Sequence, residues 1–143
     1  MKETTRRTPD LSLRDTFLRA ASGLPVRDDE RAGVVADALG YLQRGFDAHY
    51  AEGGATDDDI LVGDNAYALA VETIAHLDEP RFVAVASRMI RDGAGRIASG
   101  GSVTVQMWTP HLGGLLDVIS GEGADRSEAR IRNAARELRD QGG

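Results

Sequence analysis

The stretch 60–100, ILVGDNAYALAVETIAHLDEPRFVAVASRMIRDGAGRIASG, constrains the fold more than any other part of the chain. Apolar residues recur in it at three- and four-residue spacing on both sides of Leu77-Asp78-Glu79-Pro80. That spacing is the period of an amphipathic helix, and a proline after a short polar break marks the start of a second one. The stretch therefore reads as two adjacent helices.

The first of the two is apolar on more than one side. At about 100° per residue, Ile60, Tyr67, Val71, Ile74 and Ala75 fall on one arc. Val62, Ala66, Leu69, Ala70 and Leu77 fall on a second, with Asn65, Glu72 and His76 in a narrow polar strip between. A helix apolar on two sides is buried on two sides. It is either the central helix of the domain or a helix with one face on its own core and the other on a partner. Asp64 falls inside the first arc, where a carboxylate must be paired or hydrogen-bonded. The leading expectation is a buried aspartate tying two helices together, ahead of a site residue.

The rest of the chain follows the same period. Residues 1–10 form a polar tail, and a single helical domain spans 11–143. Ser12 opens a first helix with Asp15 as its capping-box partner, and Gly23 and Pro25 stop it. A second helix runs from near Asp28 to about Tyr50, with Val35, Leu39, Leu42 and Phe46 on its stripe. Gly40 and Gly45 in that helix signal close approach of a neighbour or a bend. Gly53-Gly54 ends it. Thr56 and Asp59 cap the third helix, and Asp57, Asp58 and Asp59 favour its positive end. Phe82, Val85, Ala86, Met89, Ile90, Gly93 and Ile97 give the fourth helix one apolar face. Ser102 to Trp108 alternates like a strand but has nothing to pair with, so it reads as an extended connection or a first helical turn. Thr109-Pro110 is the expected start of a fifth helix, and Asp125 with Glu128 the expected cap of a sixth. The narrow stripe Ile131, Ala134, Ala135 and Leu138 places the sixth on the outside. The fold class is all-α, a bundle of about six helices with no sheet.

Composition narrows the function. The net charge is −6, with 17 basic and 23 acidic residues. That is the opposite of a nucleic-acid footprint. There is no Cys, so no disulfide framework and no thiolate chemistry. No apolar run approaches a membrane span, and no secretory leader pattern opens the chain. A cytoplasmic location is the expectation.

Gly63-Asp64, the small residues Ala66 to Ala70, the break at Pro80-Arg81 and the glycines from Gly93 to Gly100 form one pattern. It resembles a central helix pair of the trans-polyprenyl diphosphate synthases, the all-helical enzymes that build isoprenoid chains. Beyond that segment, Trp108 to Ile119, Gly123-Ala124 and Arg126 to Leu138 fall in the family's order. His111-Leu112 stands where the family has Lys-Thr. The resemblance implies part of the isoprenoid synthase fold.

It does not extend to the family's chemistry. Those enzymes hold Mg2+ and the substrate diphosphate through two Asp-Asp-x-x-Asp motifs, because hard cations take carboxylate oxygens and neutralise the leaving group. Here Asp28-Asp29 is followed by Ala32, and Asp58-Asp59 by Val62. Neither completes the motif. Some members of the family are heterodimers, with a small subunit that lacks the motifs but is required for activity and long products. The resemblance implies such an accessory, regulatory subunit, with Mg2+ held only by its catalytic partner. The family's dimer contact lies on the matching helices. The expected interface is therefore Tyr67, Val71 and Ile74 on the third helix with Phe82, Val85 and Met89 on the fourth. Val62, Leu69 and Leu77 would then face the protein's own core.

Other chemistry is weakly signalled. His49, His76 and His111 have no metal-ligand spacing. Gly93-Ala94-Gly95 lies inside a helix and follows no strand, so it is no phosphate loop. Arg81, Arg88 and Arg91 read as a solvated helix face. No catalytic, cofactor-binding or metal-binding residue is expected in this chain. The alternatives are an unrelated helical adaptor or dimerisation protein, including a homodimer, and last a complete small enzyme.

Overall fold

A computed structural model describes residues 11–49, 56–101 and 103–142. Six helices follow one another: α1 (Leu13–Ser22), α2 (Asp29–His49), α3 (Asp57–Ala75), α4 (Pro80–Ala98), α5 (Val105–Ser120) and α6 (Ala124–Gly142). The described residues contain no strand, and the all-helical bundle expected from periodicity is what forms. The expected tail 1–10, the end of the second helix at Tyr50 and the stop at Gly53-Gly54 lie outside the described residues.

Local signals set most boundaries. Ser12 Oγ accepts from the Asp15 amide at 3.0 Å and opens α1. Thr56 and Asp59 form a reciprocal capping box on α3, each side chain bonding the other's amide. Glu79 caps α4, accepting from the Arg81 amide at 3.1 Å. The Arg81 guanidinium first, and that amide second, hold the Glu79 carboxyl down at about 2. Asp78, at φ 55°, takes the left-handed turn that carries the chain from α3 to α4. Aspartate tolerates that region better than most residues.

Two boundaries differ from expectation. Helix α5 begins at Val105, not at Thr109-Pro110, because Thr104 caps it by accepting from the Met107 amide at 3.2 Å. The alternating run Ser102 to Trp108 is thus mostly the first turn of a helix, with Val105 and Trp108 buried. Pro110 lies within α5 and denies Gln106's carbonyl its usual amide partner. At α6 the Gly123 carbonyl takes the Ser127 amide at 3.0 Å, and Gly123's own amide donates to Asp117 Oδ1 at 2.7 Å. That backbone turn, rather than an Asp125–Glu128 box, is the recorded start of the helix.

The central helix is α2, not α3. It packs against α1, α3, α4 and α5. Its buried residues include Val35, Ala36, Ala38, Leu39, Leu42 and Phe46, spread over about half of its circumference. Its many alanines let neighbours close in on several sides. Among the described residues, helix α3 packs on α2 and α4 only. One stripe of it is buried: Gly63, Ala66, Tyr67, Ala70 and Ile74. That stripe runs between the two arcs read from the sequence and takes residues from both.

Polar ties close the bundle. The Leu13 amide donates to Gln43 Oε1 at 2.8 Å, fixing the start of α1 on α2. Arg130 of α6 pairs with Glu122 at 2.6 Å and donates to the Gly23 carbonyl at 3.1 Å. Arg19 of α1 reaches Glu137 of α6 at 3.1 Å. Together these hold α6 against α1 and place it on the outside, as its narrow stripe predicts.

Candidate functional site

The Gly63-Asp64 pair lies where α3 crosses α2. A Cβ on Gly45 would run into the Tyr67 ring and come within 3.1 Å of the Gly63 carbonyl. A Cβ on Gly63 would strike the His49 ring and meet the Gly45 carbonyl at the same distance. The two glycines let the backbones touch, which answers the sequence question of close approach or bend at Gly45.

Asp64 is not buried. Its side chain is 63% exposed, and Oδ1 stands 3.3 Å from His49 Nε2. The helix turns Asp64 away from the buried stripe that its neighbours Gly63 and Tyr67 share. It does tie two helices, but from the surface. His49 Nε2 also lies 3.2 Å from the Ile60 carbonyl, and its Nδ1 lies 3.3 Å from the Tyr67 hydroxyl. The set is satisfied when Nε2 carries the proton and Nδ1 accepts from the phenol. Burial first, and the Asp64 charge second, push the Tyr67 hydroxyl up to about 12, so it remains a donor.

From Tyr67 a row of rings crosses the core. Phe46 packs on Tyr67 with centroids 5.5 Å apart and stacks on Trp108 at 5.0 Å. Trp108 meets His111 edge-on at 5.2 Å. His111 Nε2 then donates to Asp92 Oδ2 at 3.1 Å, and this bond, before any contribution from Arg91, lowers the Asp92 carboxyl. Among the described residues, His111 Nδ1 is buried without a hydrogen-bond partner. The row thus starts and ends in a histidine–aspartate pair. Phe46 and Trp108 are each essentially inaccessible, so the rings between the pairs are core.

The partners recorded for these histidines are carboxylates, a carbonyl and a phenol. That is the chemistry of a clasp between helices, not of a nucleophile held against a base. Among the described residues, no three His, Asp or Glu side chains converge in a way that could hold a metal ion. Asp57 and Asp58 are exposed in the first turn of α3, and Asp59 is engaged in the cap. Arg81, Arg88 and Arg91 are exposed, as read from the sequence.

The expected interface residues are mostly inside. Tyr67, Ile74, Phe82, Val85 and Met89 are all buried in the chain's own core, and Val71 is half-buried. Val62, assigned to the core, is 53% exposed. The choice between the arcs of α3 is therefore corrected: periodicity showed two apolar arcs, and α2 and α4 cover a stripe centred between them. What remains bare is the start of the helix, where Ile60, Leu61 and Val62 are 44%, 68% and 53% exposed. Sequence reasoning missed this run because it assigned Ile60 and Val62 to arcs that other helices would cover and placed Leu61 in neither. It also missed both histidine–aspartate pairs, whose members are 15 and 19 residues apart in the chain. Among the described residues, no helix is long and apolar enough to cross a membrane.

No family model, no curated protein and no solved structure matches the chain.

Proposed function

We propose that this chain is a non-catalytic partner subunit that docks a larger protein through the outer surface at the start of α3. The observation that carries the reading is the exposed run Ile60-Leu61-Val62. Three successive large apolar residues in water are a surface that association would cover. Beside them lie Asp57 and Asp58, which supply a charged rim. The resemblance of the segment from Ile60 to Gly100 supplies the partner: a trans-polyprenyl diphosphate synthase subunit bearing both Asp-rich motifs. In that heterodimer the partner would hold Mg2+ and perform the prenyltransferase chemistry. This chain would add apolar surface and support long isoprenoid diphosphate products.

The test mixes the purified chain with such a synthase. Sizing measures association, and product length is measured with Mg2+ present. The wild type is expected to co-elute with the enzyme. Leu61→Asp should weaken the complex by at least about tenfold, since an apolar side chain of this size contributes about 1.5–3 kcal/mol when covered. Circular dichroism should show its helices intact, because Leu61 touches no core. An unaltered complex would place the contact elsewhere. A wild type that binds no synthase and forms a homodimer sensitive to Leu61→Asp would favour the adaptor or dimerisation reading.

A further inference from the structure

A second surface, on α5 and α6, neither of which packs on α3 among the described residues, has a different chemistry. The N-terminal half of α5 and residues 128–139 of α6 line a groove of about 460 Å³. That is the size of sites that take small molecules. Its floor is Val105, Thr109 and Ala135, all buried. The Thr109 hydroxyl bonds the Val105 carbonyl at 3.3 Å, so the floor offers little free polarity. Pro110 and Gln106 form part of the wall on the α5 side.

The α6 side is cationic. Arg132, Arg136 and Arg139 follow one another at helical spacing and all line the groove. This is unusual in a chain of net charge −6. Elsewhere the arginines mostly meet carboxylates: Arg19, Arg27, Arg31, Arg81 and Arg130 all do so within 3.2 Å. In the groove, Arg132 has only a long 3.7 Å contact with Glu128. Arg136 bonds the neutral Asn133. Among the described residues, neither Arg136 nor Arg139 has a carboxylate partner in an ion pair. Glu128 is the one acid among the residues lining the groove. Glu137 of the same helix is turned to Arg19 of α1.

We propose that this groove binds a small amphipathic oxyanion, a carboxylate or phosphate carried on a short apolar body. The guanidinium groups offer fork-shaped donors that match either headgroup. The apolar floor takes the body, and the burial of a few methylenes adds about 0.8 kcal/mol for each. All three arginines are exposed along this wall, so their guanidinium groups can turn to meet an anion. The site is independent of the α3 surface, and either can fail without the other.

The experiment titrates the full chain with octyl phosphate, octanoate, octanol and inorganic phosphate, each below any micellar concentration. Calorimetry gives stoichiometry and affinity, and amide NMR shifts give location. At least one of the two octyl anions is expected to bind one-to-one and to shift the amides of Gln106, Thr109, Ala135 and Arg139. Preference for one of them identifies the headgroup. Octanol and inorganic phosphate should each bind at least about tenfold more weakly. The double variant Arg136→Gln, Arg139→Gln should lose at least about tenfold in affinity without a change in melting temperature. Glu128→Gln should tighten binding. The proposal is overturned if neither octyl anion saturates, or if inorganic phosphate binds as well as octyl phosphate. Equal binding of octanol, or an unaffected double variant, overturns it too.

Discussion

His49 and His111 each face a carboxylate through Nε2, at 3.3 and 3.1 Å, and each ring stands edge-on to an aromatic neighbour. They differ at the other nitrogen. Nδ1 of His49 meets the buried hydroxyl of Tyr67, while Nδ1 of His111 is buried with no partner among the described residues. The seams around them differ as well. At the α2–α3 seam Gly45 and Gly63 bring the backbones into contact. At the α4–α5 seam a Cβ on Gly114 would meet only Val85, at an ordinary 3.8 Å. One seam is closed by shape and by complementary hydrogen bonds. The other leaves an acceptor unmet and would take a Cβ at Gly114 in ordinary contact. The same pair of side chains is thus expected to be a necessary clasp in one place and a replaceable contact in the other.

The largest test of that contrast is steric. Gly45→Val places three carbons against the Tyr67 ring and the Gly63 carbonyl. It should lower stability by about 3 kcal/mol or more, a melting shift on the order of 10 °C. Gly114→Ala should instead be neutral or stabilising, by up to about 1 kcal/mol, because alanine favours the helix and the space is open. Urea denaturation of both reads the difference. If Gly45→Val melts with the wild type, α2 and α3 do not touch there.

The histidines provide the next. His49→Leu leaves the Tyr67 hydroxyl buried without its acceptor and should cost about 1–3 kcal/mol. His111→Leu removes the orphaned nitrogen along with the Asp92 bond, and should change stability by less than about 1 kcal/mol. Equal losses in the two variants would erase the distinction.

The smallest effect is in acid. His111's hydrogen bond, with Arg91, lowers the Asp92 carboxyl in the folded state. A lowered carboxyl adds stability above its unfolded value and loses it as pH falls through the folded one. The contribution is therefore present at neutral pH and disappears below about pH 4. Asp92→Asn should flatten this part of the stability profile, read as urea midpoints between neutral pH and pH 3. A profile as steep as the wild type's would mean that other carboxylates account for the slope.

How much was legible in the sequence depends on the range of the interaction. Ser12, Thr56 and Pro80 mark helix starts through contacts with their own neighbours, so the order and number of helices could be read. The apolar face of α4 could be read from its spacing but not what would cover it: Phe82, Val85 and Met89, expected at a partner interface, are buried in the chain's own core. The start of α5 could not, because a β-branched run before a proline looks extended until a threonine caps it. Periodicity also said that α3 had two apolar arcs without saying which neighbours would cover them.

Those choices belong to the tertiary structure. Glycines at 45 and 63 seat α3 on α2 along one stripe, and that seating buries Tyr67 and Ile74 and leaves Leu61 in water. It also brings His49 to Asp64 and Tyr67. Pairing across helices depends on crossing points set by the packing of the whole core, which no local pattern encodes. The sequence by itself determined that this chain is a bundle of helices and where most of them begin. Only the packing decided which of its apolar residues became core, which remained bare, and which arginines were left facing a groove without an acid to meet them.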